Sequence, residues 1–284
     1  MAFDKITVLG VGLIGASFAM AAKKQGVAGR IAGFGRSEEN LRKAKERGII
    51  DSYDLDPAEA CRDADLVMLS TPVGYFTELA RKCAGSLKDG TIVTDAGSVK
   101  GTLVSELEDL MPRGVRYVGG HPIAGSERSG SGAADADLFR GARCILTPTP
   151  RSDKHAVETV ADIWRRLGAE ITTMEPDVHD RIYAAVSHLP HLLAYALMNA
   201  VADADPSFLA FGGQGFKDTT RIAASSPEMW RDICLLNRDN LLDLILAFQK
   251  QLDSLSRHLR AADSASLERE FERARTLREK LGQG

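Results

Sequence analysis

The sequence has no surplus of basic charge. Its 284 residues carry 36 Lys and Arg against 39 Asp and Glu, a formal net charge of -3. Binding to nucleic acid or to an anionic membrane surface would call for a basic face, so neither partner is expected. No apolar run is long enough to span a bilayer, and the opening Met1-Ala2-Phe3-Asp4-Lys5 lacks signal-peptide character. The four cysteines, Cys61, Cys83, Cys144 and Cys234, are far apart with no C-x-x-C spacing. That argues against a zinc site or a disulfide framework and for reduced thiols in a cytoplasmic protein. Internal repeats and low-complexity tracts are missing too. What remains is an ordinary globular composition, 44% hydrophobic and 26% charged, and a length that suits two domains.

The informative stretch comes at the start. The apolar run Ile6-Thr7-Val8-Leu9 meets Gly10, Gly12 and Gly15 in G-x-G-x-x-G spacing, and an Ala-rich helical pattern follows. Strand, glycine turn and helix in that order form the dinucleotide fingerprint. Gly10 permits the tight turn, Gly12 lets backbone approach a pyrophosphate, and Gly15 lets helix and strand pack closely. Leu13 and Ile14 open the helix, whose free N–H groups favour phosphate. The second strand, Arg30 to Phe34, ends in Gly35-Arg36-Ser37. An NAD-preferring fold usually places a carboxylate here, on the adenine ribose. None stands here, and a guanidinium and a hydroxyl suit a 2′-phosphate. NADP is therefore the preferred cofactor, with NAD as the alternative; Ser37 also serves to cap the next helix. A third strand ends in Ser70-Thr71-Pro72, candidate neighbours of the nicotinamide half.

Two further strand ends attract attention. Asp95-Ala96-Gly97-Ser98 puts Ser98 where ligands of open α/β sheets gather, although Ser98 equally suits the N-cap of a helix over Val99–Leu110. Gly119-Gly120-His121-Pro122 and Gly125-Ser126-Glu127 place a histidine in a stiff, glycine-flanked loop, where it can act as an acid or base near neutral pH. Strand patterns end at about Pro176. Residues 1–176 thus read as an α/β dinucleotide-binding Rossmann domain, and 177–284 as an all-α domain. The latter opens with one helix, Val178 to Met198, kinked by Pro190. His188 and His191 share a face of it, with no third ligand nearby to specify a metal. Asp218 and Arg221 are spaced to pair, and Arg221 is the best candidate for forking a substrate carboxylate. The apolar faces of the last long helices favour a homodimer through them.

Taken together, the motifs resemble the prephenate/arogenate (cyclohexadienyl) dehydrogenase family of tyrosine biosynthesis. The resemblance runs through Gly10 to Ser17, Asp95 to Lys100, Gly120 to Gly130, Ser187 to His191, Gly215 to Ala223, and Trp230, which spans nearly the whole chain in order. It implies a Rossmann domain followed by a helical dimerisation domain. It also implies oxidative decarboxylation of prephenate and/or arogenate to 4-hydroxyphenylpyruvate and/or tyrosine, with hydride transfer to NAD(P). The family's catalytic histidine falls on His121, and Ser98 falls on a serine that bonds both that histidine and the substrate hydroxyl. Arg221 falls on the carboxylate-binding arginine, and His188 and His191 on the motif lining the substrate pocket. Glu127 and Asp218, with Ser126 beside them, fall on supporting positions. Gly35 stands where the family often has Asp, which sets this chain apart from the common NAD preference. The length past the helices leaves no room for a chorismate mutase fusion or a typical regulatory domain, so tyrosine inhibition is expected only at the active site itself.

Two other readings compete. A β-hydroxyacid or imine reductase shares this plan, but the former wants a lysine on an early helix of the second domain, and Val178 to Met198 contains none. A non-enzymatic NADP-binding sensor would not explain Ser98, His121 and Arg221 converging on one cleft. Asp180, with Glu127, is a candidate for favouring the ammonium of arogenate.

Overall fold

A computed structural model describes residues 3–125 and 130–281. The candidate site residues Ser126 and Glu127 lie outside these described residues. The chain forms two compact units, Met1–Arg238 and Asp239–Gly284.

The first unit begins with β1 (Phe3–Leu9), α1 (Leu13–Lys24), β2 (Ala28–Phe34), α2 (Glu38–Glu46), β3 (Ser52–Asp54), α3 (Pro57–Cys61) and β4 (Leu66–Leu69). It continues with α4 (Phe76–Cys83), β5 (Ile92–Asp95), α5 (Gly101–Leu110) and β6 (Arg116–Val118). Six strands make one parallel sheet in the order β3-β2-β1-β4-β5-β6, the Rossmann order. Both faces are covered, as a parallel sheet requires. Ile6, Val8, Leu66 and Met68 pack with Phe18 of α1 and Leu41 of α2. The alternate residues Leu9, Val67 and Leu69 pack with Phe76 and Leu79 of α4 and Leu103 of α5.

A second sheet follows that the sequence reading did not separate from the first. It comprises β7 (Gly120–Pro122), β8 (Arg143–Leu146) and, after α6 (Lys154–Arg166), β9 (Glu170–Thr173). β7 runs antiparallel to β8, with His121 opposite Ile145. Trp164 of α6 is fully buried, its ring 5.4 Å from Phe18 and 5.0 Å from Phe139, so this sheet and the first helix share one core.

Helices then take over: α7 (Pro176–Tyr183), α8 (Leu189–Ala204), α9 (Gln214–Thr220) and α10 (Pro227–Leu236). The single kinked helix expected over Val178–Met198 is in fact three segments, because a π-helical turn, Ala184–His188, separates α7 from α8. Pro190 sits in the first turn of α8, where its missing N–H costs nothing. The wide turn absorbs the disruption, and it presents Ser187 and His188 at the break. Ser226 caps α10 by accepting from Met229 N.

The second unit holds α11 (Arg238–Arg260), apart from its first residue, and α12 (Ser264–Lys280). Asp263 caps α12, accepting from Ser266 N at 3.0 Å. Leu246, Leu252, Leu259, Phe271 and Leu277 are exposed. No helix among the described residues is long and apolar enough to cross a membrane.

Candidate active site

The glycine turn after β1 has three glycines with three different surroundings. Gly10 has φ +106°, and a Cβ there would meet the Ser70 and Thr71 backbone at 2.6 Å. A Cβ on Gly15 would strike the Gly10 carbonyl at 2.1 Å, so Gly15 is the close-packing glycine. Gly12 differs, since a Cβ there meets nothing within 4 Å. Steric crowding inside the chain therefore does not explain Gly12, whereas a ligand approaching the start of α1 does. Beside it lies a cavity of about 460 Å³, lined in part by Gly10, Gly12, Gly35, Arg36, Ser37, Ser70, Thr71 and Pro72. Eight of the eleven positions expected to meet the cofactor thus share one wall. The other three, Leu13, Ile14 and Gly15, belong to α1 behind the turn. These residues fit a dinucleotide, and the sequence had missed Tyr75, Asn40 and Lys82 on the same wall. Ser37 accepts from Asn40 N at 3.3 Å, so it does cap α2.

Where β5 ends, Asp95 organises the next loops. Its carboxylate accepts from Gly97 N at 2.7 Å, from the Tyr117 hydroxyl at 2.6 Å and from Gly120 N at 3.2 Å. It also pairs with Lys100, and both side chains are fully buried. Four partners on one carboxylate offset the cost of burying the charges. They tie the loop holding Ser98 to the start of β7, which holds His121. The Tyr117 hydroxyl is pushed well above its ordinary range by burial and by the Asp95 charge.

Ser98 is not the cap of α5. That helix begins at Gly101, and no side chain from its own N-cap position bonds it. Asp180 does so from α7, accepting from Lys100 N and Gly101 N, each at 2.8 Å. A carboxylate eighty positions away displaces the local hydroxyl because it satisfies two orphan N–H groups and carries charge toward a helix N-terminus. The same carboxylate accepts from His179 Nδ1 at 2.8 Å. Its oxygens are engaged inside the protein, which removes Asp180 as a partner for a substrate ammonium.

From Asp180 the chain of contacts leads to His121. His179 Nε2 lies 2.8 Å from His121 Nδ1. Tyr183 braces both rings, stacked on His179 at 4.6 Å and edge-on to His121 at 4.9 Å. His121 lines a second cavity of about 290 Å³ with Pro122, Gly125, Tyr183 and Ser187 among its walls. A Cβ on Gly125 would come within 3.7 Å of Ile14 in α1, so this strand's exit runs beside the start of the nucleotide-turn helix. Burial, aided by the neighbouring His179, Lys100 and His188, holds His121 well below the ordinary histidine range. Burial likewise lowers His179, against the opposing pull of Asp180.

His188 and His191 share a neighbour rather than a ligand set. His191 stacks on Trp230 at 3.6 Å, and His188 meets the same ring edge-on at 5.9 Å. Asn237 Nδ2 lies 3.0 Å from His188 Nδ1 and donates to the Asp180 carbonyl at 2.9 Å. Burial lowers His188 to about 4. His191 Nδ1 lies 2.9 Å from the Ser187 carbonyl; burial lowers it, and the charge of nearby Arg221 adds to the effect. Arg221 therefore stands near this histidine, on the turn after α9. Asp218 accepts from Gln214 at 2.7 Å. No cluster of metal-ligating side chains occurs among the described residues.

Missed by the sequence reading were His179 as a partner of His121, the Asp95–Lys100–Tyr117 network, and Tyr183. The histidine next to Asp180 in a helix gave no local signal, since only the fold brings it to His121.

A Rossmann sheet with an open glycine turn, and a histidine-lined cavity beside the same helix, define a dinucleotide-dependent oxidoreductase. Comparison with known proteins makes this specific. The family model for the prephenate dehydrogenase nucleotide-binding domain matches residues 18–173, and that for the prephenate dehydrogenase dimerization domain matches residues 175–273. The chain belongs to the prephenate dehydrogenase family. It is 36% identical to a prephenate dehydrogenase of Bacillus subtilis, over 98% of this chain and 76% of that one. A crystal structure of prephenate dehydrogenase from A. aeolicus, in complex with hydroxyphenyl propionate and NAD+, is 37% identical, covers 99% of both chains and has a TM-score of 0.91. The Synechocystis arogenate dehydrogenase is 30% identical over 97% of this chain and 99% of that one, with a TM-score of 0.80. The family's reaction is an NAD(P)-linked oxidative decarboxylation, and the reductase and sensor readings give way to it.

Proposed function

We propose that this protein oxidatively decarboxylates prephenate and/or arogenate, with NADP preferred to NAD, and that His121 is the base. The observation that carries the reading is the chain Asp180–His179–His121 ending at a cavity wall. A carboxylate only accepts, so His179 carries its proton on Nδ1 and leaves Nε2 as an acceptor. His121 must then donate from Nδ1, and its Nε2 is the unprotonated nitrogen. The depressed proton affinity keeps it so at neutral pH.

A nicotinamide cofactor held along the cavity of Gly10, Gly12 and Thr71 would supply the acceptor for the hydride on the substrate ring carbon that bears the 4-hydroxyl. As carbonyl character develops at that carbon, His121 Nε2 accepts the hydroxyl proton. The ring carboxylate then leaves as CO2; its bonding electrons pass through the ring to the carbonyl oxygen, which takes the proton back from His121 as the ring becomes aromatic, and that aromatisation makes the step favourable. No electrophilic metal is needed for it. Ser98, on the loop braced by Asp95, hydrogen-bonds the substrate hydroxyl and helps orient His121. Arg221 supplies fixed positive charge for a substrate carboxylate, with His188 and His191 serving the same pocket; Ser126 and Glu127 are assigned to substrate binding by the family resemblance alone. Asp218, which accepts from Gln214, takes a supporting position there.

Arg36 and Ser37, in place of a ribose-binding carboxylate, support the preference for NADP. Residues 177–284 form the substrate and dimerisation half, and the exposed leucines and Phe271 of α11 and α12 support a homodimer through those helices. The test is His121→Asn: turnover is largely lost while the reduced cofactor still binds, as read by its fluorescence. Retained turnover, or lost cofactor binding, counts against the role.

A further inference from the structure

Arg36 already has a carboxylate on it. Its Nη1 donates to Glu228 Oε1 at 3.3 Å and to the Tyr75 hydroxyl at 3.1 Å, and its Nη2 donates to Glu228 Oε2 at 3.4 Å. The Tyr75 hydroxyl donates to Glu228 Oε1 at 2.6 Å, and the guanidinium lies 5.2 Å from the centre of the Tyr75 ring. Arg36 and Tyr75 line the nucleotide cavity. Glu228 comes from the first turn of α10, far along the chain. That helix is closely set against the cavity's rim, since a Cβ on Gly74 would meet Asp232 at 2.3 Å.

A bidentate carboxylate uses the same guanidinium fork that a phosphate monoester uses. The two cannot hold it together, and a carboxylate left beside a phosphate repels it. An unphosphorylated ribose needs no fork and meets no such repulsion. We infer that Glu228 is a specificity-determining residue: it competes with the cofactor's 2′-phosphate for Arg36 and so restrains the preference for NADP over NAD. Tyr75 is its positioning partner, holding the carboxylate on the guanidinium. The inference rests on the reading that Arg36 takes the 2′-phosphate.

Fluorescence titration of the full chain with NADPH and with NADH tests it. Glu228→Gln should tighten NADPH by about fivefold and leave NADH within about twofold, the scale of an exposed ion pair. Tyr75→Phe, which keeps the ring and removes the hydroxyl, should move the NADPH-to-NADH ratio the same way by less. Arg36→Ala should weaken NADPH selectively and abolish the effect of Glu228→Gln. If Arg36→Ala weakens NADPH but Glu228→Gln shifts neither cofactor, or both equally, the role of Glu228 is overturned and the NADP reading stands. If Arg36→Ala leaves NADPH unchanged, the phosphate reading fails and takes this inference with it.

Discussion

His121 Nδ1 and His179 Nε2 lie 2.8 Å apart, and with both rings neutral the hydrogen bond between them runs only from His121 to His179. Asp180 fixes that direction by accepting from the other nitrogen of His179. The tautomer of His121 is thus decided two residues away from the cavity it lines.

Replacing His179 with Ala should release the His121 tautomer while leaving its ring in place. Turnover should fall by roughly a hundredfold, within the span of positioned acid–base groups, with cofactor affinity unchanged. Steady-state kinetics with a parallel cofactor titration checks this. A wild-type kcat would mean that the histidine pair is only packing.

The glycines of the nucleotide turn should separate stability from binding. Gly12 has φ -90° and open space around its Cβ position, so Gly12→Ala should leave Tm unchanged and weaken cofactor binding by about tenfold or more, the equivalent of 1.4 kcal/mol. Gly15→Ala meets backbone and should lower Tm as well, as overpacking does. Calorimetry and titration of both variants test the contrast; equal Tm losses would contradict it.

Arg221→Ala should chiefly raise the KM for the carboxylate substrate, because fixed charge in the pocket acts on bound substrate and transition state alike. An unchanged KM removes Arg221 from the binding role.

The buried histidines set the acid stability. His121, His179 and His188 all take up protons more readily unfolded than folded. Lowered folded values mean that the stability they permit is present above the ordinary value of 6.5 and is lost as pH falls toward about 4, the value for His188. Tm should therefore decline progressively through that window. The acid limb of kcat/KM should likewise lie below the ordinary histidine value, since His121 stays unprotonated there. A pH-independent Tm across the window would contradict the assignment.

What the sequence made legible was local. The fingerprint at Gly10, Gly12 and Gly15 reads directly, because strand, turn and helix are adjacent and each glycine answers a short-range demand. The Ser37 cap of α2 is local in the same sense. Asp180 was not legible as the cap of α5, because its advantage over Ser98 exists only once α7 packs beside that helix. β7 was hidden for a related reason. Three residues holding a glycine and a proline carry no strand pattern, and only pairing with β8 makes them one. The break at Ala184–His188 was signalled by Pro190, but its form, a widened turn rather than a kink, was not. His121 was legible as a residue and its proton was not, since the tautomer depends on His179 and Asp180, which lie in α7, far along the chain.

The most direct measurement is a rate assay with prephenate or arogenate and with NAD or NADP, following the reduced cofactor. Activity with at least one of the two substrates, and faster with NADP than with NAD, is the predicted result. No activity in any of the four combinations would contradict the dehydrogenase assignment, and activity with NAD alone would contradict the role given to Arg36 and Ser37.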